Sequence, residues 1–432
     1  MNRLLKCGAV LLCATFLLAL LDKRGEAVPA FARRIGAKCS QCHFIAGELN
    51  LTGKDFLRRG LREFEEVTPD VQPGVTTAGA ESASESSEPA GAGAEPQTGV
   101  ERRLQQLEQE MARMRAGGQT GAGASLGEYL SLIGKYGFES EKGGTSRFGP
   151  GELALWSGGP LSPEFSYVAE VEAAVGATSD ESELETEEFY GQYTSGVGAN
   201  YTTIRFGSFQ PILLTTHQSG APRIILERPA VLSGRSGNGN GWRPRSRLRG
   251  VEAGILRGNF AGYLGIGNGQ GQNTGDSHMD FYGTLERTFD DNGSSLGLWA
   301  FSGDTPLTGI AAPPDGRDRF KRWGILGNYA KEKTKVVGAF LKGTNESAAG
   351  DLDNDGFFLQ VLHLVSPDAA VYARWDDFQR DLAAGGQEET DGITVGGRWW
   401  MSSQFGFTAE AGFLETNGDD DKRFALELIF GF

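Results

Sequence analysis

From residue 126 to the C-terminus, apolar and polar residues alternate in short segments punctuated by Gly, Asn and Asp. The last segment is the clearest: Phe424, Leu426, Leu428, Phe430 and Phe432 fall on one face, and Ala425, Glu427, Ile429 and Gly431 on the other. The segment before it sets Phe405, Phe407, Ala409, Ala411 and Phe413 against Gly406, Thr408, Glu410 and Gly412. A period of two is the period of a strand. An apolar face backed by small or polar residues is what lipid on one side and a polar lumen on the other demand. A soluble sandwich shares that period, but an aromatic residue closing the final strand favours a barrel in the outer membrane. The expected fold class is therefore all-β, a transmembrane outer-membrane β-barrel over 126–432 with about sixteen strands, the even number bacterial barrels need. The expected spans are 126–140, 147–157, 164–176, 187–195, 199–209, 246–257, 259–268, 279–289, 294–303, 319–330, 333–343, 356–365, 369–379, 390–400, 404–416 and 423–432.

The connections fit this count. With the N-terminus on the periplasmic side, the segments after odd strands face outward and are mostly long and acidic: SDESELETEE, TNESAAGDLDND and TNGDDD. Those after even strands are mostly short: DDNG, EKTK, SPDA and MSSQ. This is the asymmetry of outer-membrane barrels. The longest connection, 210–245, contains PILLTTHQSGAPRIILERPAVL, too apolar for a solvated loop, and is expected to fold into the lumen and narrow it.

Ahead of the barrel the pattern changes three times. Residues 1–27 pair basic Arg3 and Lys6 with an apolar core at 8–21 and small residues at Gly25-Glu26-Ala27, the form of a cleaved secretory signal. Residues 68–99 are rich in Ala, Gly, Ser, Glu and Pro and read as a disordered linker, with a root-mean-square span of about 30 Å. Val100, Leu104, Leu107, Met111 and Met114 then follow heptad spacing, a short coiled coil over 100–117. Between leader and linker, 28–67 is expected to form a small α-helical segment.

Composition narrows the function. The 432 residues carry a net charge of −15, which becomes −17 once the leader, with four basic and two acidic residues, is removed. That sign argues against nucleic acid and for attraction of cations. No run of about 20 apolar residues occurs past the leader, which excludes membrane-spanning helices from the mature chain without touching a strand barrel.

Two of the four cysteines lie in the leader, leaving Cys39 and Cys42. With His43 they form Cys39-Ser40-Gln41-Cys42-His43, the CxxCH pattern of c-type haem attachment. Two thiols at this spacing add to the vinyl groups on one porphyrin edge, and the following His supplies the proximal axial nitrogen to the iron. A zinc site would need four ligands, and no further Cys or His lies near. Residues 44–110 hold neither His nor Met, so the sixth ligand is either absent or comes from far along the chain. His217 suits a haem in the lumen, and His363, at the periplasmic end of its strand, suits a haem docked beneath the barrel. Met111, Met114 and an open position stay as alternatives. Arg223, Arg228, Arg235, Arg243, Arg245, Arg247 and Arg249 crowd the long loop, either as a positive constriction for anions or as partners of lumen carboxylates such as Glu227. Asp351, Asp353 and Asp355 open a calcium-loop pattern and make Ca2+ a second candidate cofactor, although the twelfth position is Leu362 where a bidentate Glu belongs.

Val28-Pro29-Ala30-Phe31-Ala32-Arg33, the CxxCH, Leu49-Asn50 and Gly53-Lys54-Asp55-Phe56 resemble the haem segment of fused outer-membrane cytochrome–porins of iron-oxidising bacteria. The resemblance covers roughly 28–60 closely and the barrel in style. It implies one covalent haem c tied to a barrel in outer-membrane lipid. It further implies extracellular Fe(II) as donor, with a candidate iron-oxidising activity, and periplasmic cytochromes or other carriers as acceptors. Arg205-Phe206-Gly207-Ser208-Phe209-Gln210-Pro211 and Ile225-Leu226-Glu227-Arg228-Pro229 are similar to phosphate-selective porins of the O and P type, which implies a homotrimer and an anion channel as the alternative function. The linker and coil between haem segment and barrel depart from the fused family, so the haem segment is expected either in the lumen or tethered in the periplasm.

Overall fold

The computed structural model describes residues 42–45, 48–61, 130–141, 144, 146–148, 151–175, 183–197, 200–219, 224–233, 241–245, 247–268, 279–306, 316–347, 350–402 and 405–431. The expected signal, linker and coiled coil, together with Cys39, Met111 and Met114, lie outside the described residues.

A small N-terminal unit comes first: strands β1 (His43–Ile45) and β2 (Glu48–Leu49), then helix α1 (Leu51–Arg58). The barrel runs through β3 (Leu130–Glu141), β4 (Arg147–Phe148), β5 (Gly151–Pro160), β6 (Phe165–Val175), β7 (Glu183–Val197), β8 (Asn200–Phe209), β9 (Leu248–Arg257), β10 (Phe260–Asn268), β11 (Asp280–Thr288) and β12 (Ser295–Pro306). It continues through β13 (Arg317–Lys331), β14 (Thr334–Ser347), β15 (Gly350–Ser366), β16 (Ala369–Asp381), β17 (Gln387–Ser402), β18 (Phe405–Thr416) and β19 (Asp419–Gly431). Both β4 and β5 pair with β3, so they are halves of one strand and the barrel has sixteen. Every neighbour is antiparallel, and the last strand closes on the first, with Phe424 opposite Ser140. Closure leaves no unpaired edge, which a sheet in lipid requires.

The alternation anticipated from sequence is realised in three dimensions. Along β13, Asp318, Phe320, Arg322 and Leu326 point inward and are buried, while Trp323, Ile325 and Tyr329 point outward. Leu264, Ile255, Phe281, Leu298 and Ile393 are likewise exposed on the outer face. An apolar belt of this extent on a closed wall faces hydrocarbon.

Strands β14 to β17 and β19 are longer than their alternating cores suggested, and this shortens the outward connections. The stretch TNESAAGDLDND is not a loop: β14 extends to Ser347 and β15 begins at Gly350. Asp351, Asp353 and Asp355 therefore lie in a strand, alternating with inward Leu352 and Asn354, and the expected calcium loop does not form. Among the described residues no group of three or more His, Cys, Asp or Glu side chains gathers to hold an ion. On the outer face of this rim, cross-strand pairing sets Asp377 beside Asp391, Asp391 beside Glu415, and Glu415 beside Asp420. Like charges opposite one another are tolerable only in water, so this row lies beyond the hydrocarbon.

The connection after β8 enters the lumen, as its composition required. Its short helix α2 (Ile212–Leu214) is buried, and so are Thr215, Thr216 and His217 of the π turn that follows (Thr215–Ser219). Leu213, Leu214, Val231, Leu232 and Trp242 join Tyr190, Phe209, Trp299, Phe301, Phe320, Phe358 and Phe378 of the wall in the largest apolar core among the described residues. That core sits inside the barrel.

Candidate functional site

The described part of the N-terminal unit, which holds Cys42 and His43, packs inside the barrel wall, at the end where the short turns lie. Its local fold follows from its sequence. The Asn50 side chain accepts from Gly53 N (2.9 Å) and caps α1. A Cβ on residue 53 would stand 2.0 Å from the Cys42 carbonyl oxygen, so only glycine lets the hairpin lie against the helix. Asn50 N donates to that same carbonyl (3.0 Å). The helix ends at Gly60 (φ +72°), where a side chain would strike Ser166. Phe56 and Leu61 join the lumen core, and the Arg59 guanidinium lies 4.4 Å over the Tyr201 ring.

Charged residues lock this unit to the wall. The Arg58 guanidinium donates to Glu286 on β11 (2.5 Å), with Lys54 Nζ 3.6 Å from the same carboxylate. Lys54 also donates to Ser295 Oγ (3.3 Å). In the orientation that satisfies both of its amide atoms, Asn328 accepts from Lys54 (2.8 Å) and Ser295 (2.7 Å) and donates to the Gly293 carbonyl (2.9 Å). Gln192 Nε2 donates to the Arg58 carbonyl (2.6 Å). On the far side, Lys335 Nζ of β14 donates to Glu48 (2.8 Å) and to the Leu49 carbonyl (3.2 Å). Lys54, Arg58, Glu286, Lys335 and Glu48 are all nearly inaccessible to water. Burial, only partly offset by Glu286, lowers the Lys54 ammonium to about 8.

His43 pairs with Leu49 across the hairpin. Burial, partly offset by Glu48, lowers its imidazole to about 4, so the ring is neutral, the form that ligates a metal. Its Nδ1 is buried without a hydrogen-bond partner. Phe44, next in the chain, packs on Ile224, Ile225, Leu362, Ala370 and Tyr372. Adjacent Cys42 and His43, an orphaned imidazole nitrogen and an apolar anchor beside it fit a covalently held haem; Cys39, the second thiol, lies outside the described residues.

The two distal candidates part company. His217 is fully buried in the lumen loop. Its Nδ1 lies 2.8 Å from the Leu213 carbonyl, and its Nε2 lies 3.4 Å from the Asn328 amide, next to Lys54. Burial and then Lys54 lower its pKa to about 3. His363 is on the outer face of β15, exposed and 3.0 Å from Thr334 Oγ1. The barrel wall separates it from Cys42 and His43, so it is not a ligand for a haem held inside. The period-two alternation of β15 carried that signal in the sequence.

Four lumen arginines of the wall are spent on carboxylates: Arg205 on Glu252 (2.7 Å), Arg374 on Asp376 (2.5 Å), Arg380 on Glu388 (3.0 Å) and Arg398 on Glu427 (3.7 Å), while Arg322 donates to the carbonyls of Gly241 and Arg243 (2.9 Å each). Of the loop arginines, Arg223 and Arg235 lie outside the described residues, Arg247 pairs with Glu187, and Arg249 faces outward. Glu227, the expected loop carboxylate, is held by Arg423 (2.7 Å). Sequence reasoning missed the locking residues Glu286 and Lys335. Lys335 precedes Val337, Ala339 and Leu341 on the inward register of β14, which is the signal that marks it; Glu286 shares the inward register of β11 with Asp280 and Thr284 and carries no such signal.

A closed sixteen-stranded antiparallel barrel with an apolar outer belt and a loop folded into its lumen is a porin-like outer-membrane β-barrel. Among solved structures the chain is similar to the outer membrane protein OmpT of Vibrio cholerae in its trimer form (10% identity, TM-score 0.51, 70% of this chain and 98% of that one). It is similar also to an anion-selective porin from Comamonas acidovorans (14%, 0.54, 70% and 98%) and to Salmonella typhi OmpF in complex with daunomycin (13%, 0.50, 70% and 97%). At such identities the likeness is one of fold. No family model matches the sequence, and no curated protein matches it.

Proposed function

We propose that this barrel is an electron-transfer protein of a Gram-negative outer membrane, with one haem c held at its periplasmic mouth through Cys39, Cys42 and His43. The observation that carries this reading is the docking of the Cys42–Leu61 unit in the lumen by the Arg58–Glu286 and Lys335–Glu48 pairs. A segment that served only as a tail would have no need of two buried ion pairs, which are costly to form. When bound, the haem supplies a one-electron Fe(III)/Fe(II) couple; the chain fixes it, gives it a neutral imidazole and shields it from bulk water. Its place among the short turns lets periplasmic carriers approach. The acidic outer rim, from Asp351 to Asp420, draws cations toward the opposite side and supports Fe(II) as the extracellular donor. Outer-membrane lipid surrounds the belt, and a homotrimer, the form in which one OmpT neighbour was described, is the assembly we propose.

The test is purified protein in detergent, denatured and stained for peroxidase-active pigment, then mixed with ferrous iron in a stopped flow. Covalent pigment that is reduced by Fe(II) is expected. Absence of pigment overturns the haem, and pigment that stays oxidised overturns the donor. An anion channel is the second reading, favoured by the neighbouring anion-selective porin. The pairing of Arg205, Arg374, Arg380 and Arg398 with carboxylates and the apolar filling of the lumen stand against it. Planar-bilayer recordings separate the two: large anion-selective openings favour the channel.

A further inference from the structure

We infer that the buried Lys335–Glu48 pair is a positioning element that sets the reduction potential of an iron held by His43. The inference rests on the proposed haem and on no other part of that reading. Lys335 projects inward from the start of β14 and is 3% exposed; Glu48 is 2% exposed. Its ammonium donates both to the Glu48 carboxylate and to the carbonyl of Leu49, the residue directly opposite His43 in the β1–β2 hairpin. Directly opposed residues have Cα atoms about 4.5–5.5 Å apart, so a full positive and a full negative charge both stand within about 10 Å of the imidazole.

Reduction of a ferric haem adds one electron and removes one positive charge from the site. A nearby cation favours the reduced state, and a nearby carboxylate favours the oxidised state. With both present the two effects largely cancel; with one removed the other acts uncompensated in a place where water screens little. For a unit charge about 10 Å away at an effective dielectric of about 20, the one-electron equilibrium moves by about tenfold, or about 59 mV. Lys54 and Glu286 lie further along the same buried network and are left intact in every variant below.

The experiment is spectro-electrochemical titration of the detergent-folded full-length protein. Glu48→Gln is expected to raise the potential and Lys335→Met to lower it, each by about tenfold in the reduced-to-oxidised ratio at fixed mediator potential. The double variant returns close to the parent, and Lys335→Arg, which keeps the charge, stays with it. A purely structural role predicts something else, because loosening the hairpin admits water in both single variants and moves both the same way. Shifts of the same sign, or potentials unchanged in both, overturn the inference. A parent protein without covalent pigment overturns the haem reading itself, so the two failures are distinguishable. If Lys335→Met displaces the hairpin, Lys335→Gln with Lys335→Arg as its charged control carries the same comparison.

Discussion

Replacing Glu286 by Gln should release α1 from the barrel while leaving the wall intact. Glu286 is the shared partner of Arg58 (2.5 Å) and Lys54 (3.6 Å), all with side chains no more than 4% exposed. Breaking a buried pair from one side costs about 3–5 kcal/mol, because the remaining charge stays buried. Lys54 escapes most of this: its ammonium already sits near 8 and sheds its proton once the carboxylate is gone. Arg58 cannot deprotonate, and Asp55, 3.8 Å away, compensates it only in part. The cost therefore falls near the lower end, about 3 kcal/mol, or roughly two orders of magnitude in the population of the undocked helix. Hydrogen exchange of the 48–61 region in detergent reads this directly, with the β14–β15 ladder as internal control. Protection should drop about a hundredfold in the helix and stay constant in the ladder. Equal protection in Glu286→Gln and parent would refute the idea that this pair holds the unit in place. Arg58→Met with Glu286→Leu should recover part of the loss, since an apolar pair leaves no charge behind.

Three further outcomes follow from the packing. Trp242→Ala empties the centre of the lumen core, where the indole is fully buried, donates to the Val231 carbonyl (3.0 Å) and lies on Phe378. A cost of about 3–5 kcal/mol should appear as faster exchange at 229–233 and as new bilayer conductance, and unchanged values in both would contradict a loop-filled lumen. His217, lowered from 6.5 to about 3, gives its full contribution to loop docking above pH 6.5 and loses it as pH falls toward 3, because only the unfolded loop accepts the proton easily. Its ring resonances should titrate below pH 4, and a midpoint at 6.5 would show that the ring is not buried. Leu264→Arg, on the outer face at the middle of β10, should destabilise the barrel in lipid by about 2–4 kcal/mol and much less in detergent, as read by unfolding midpoints; equal effects would place that face away from the hydrocarbon.

The strand count, the closing strand and the inward path of the 210–245 loop were legible because each depends on local alternation or local composition. Where alternation blurs, as in Ser295–Pro306 with Leu296 and Leu298 on one face and Trp299 and Phe301 on the other, the reason is tertiary: the inner face is covered by the loop and sees no water. The strand ends at 347–356 were misjudged because polar residues such as Asp351 and Asp353 look like loop, and only pairing with β14 and β16 makes them strand.

For the candidate site, the sequence by itself supplied the residue types: two thiols and an imidazole at fixed spacing, an Asn cap and a glycine beside it, all short-range facts. It could not show where helix α1 and its hairpin pack, because that depends on Glu286 and Lys335, which are 228 and 287 residues from their partners Arg58 and Glu48. Barrel closure brings those charges to one mouth. Whether a charge is buried and paired depends on what faces it across the lumen, and a linear pattern does not contain that.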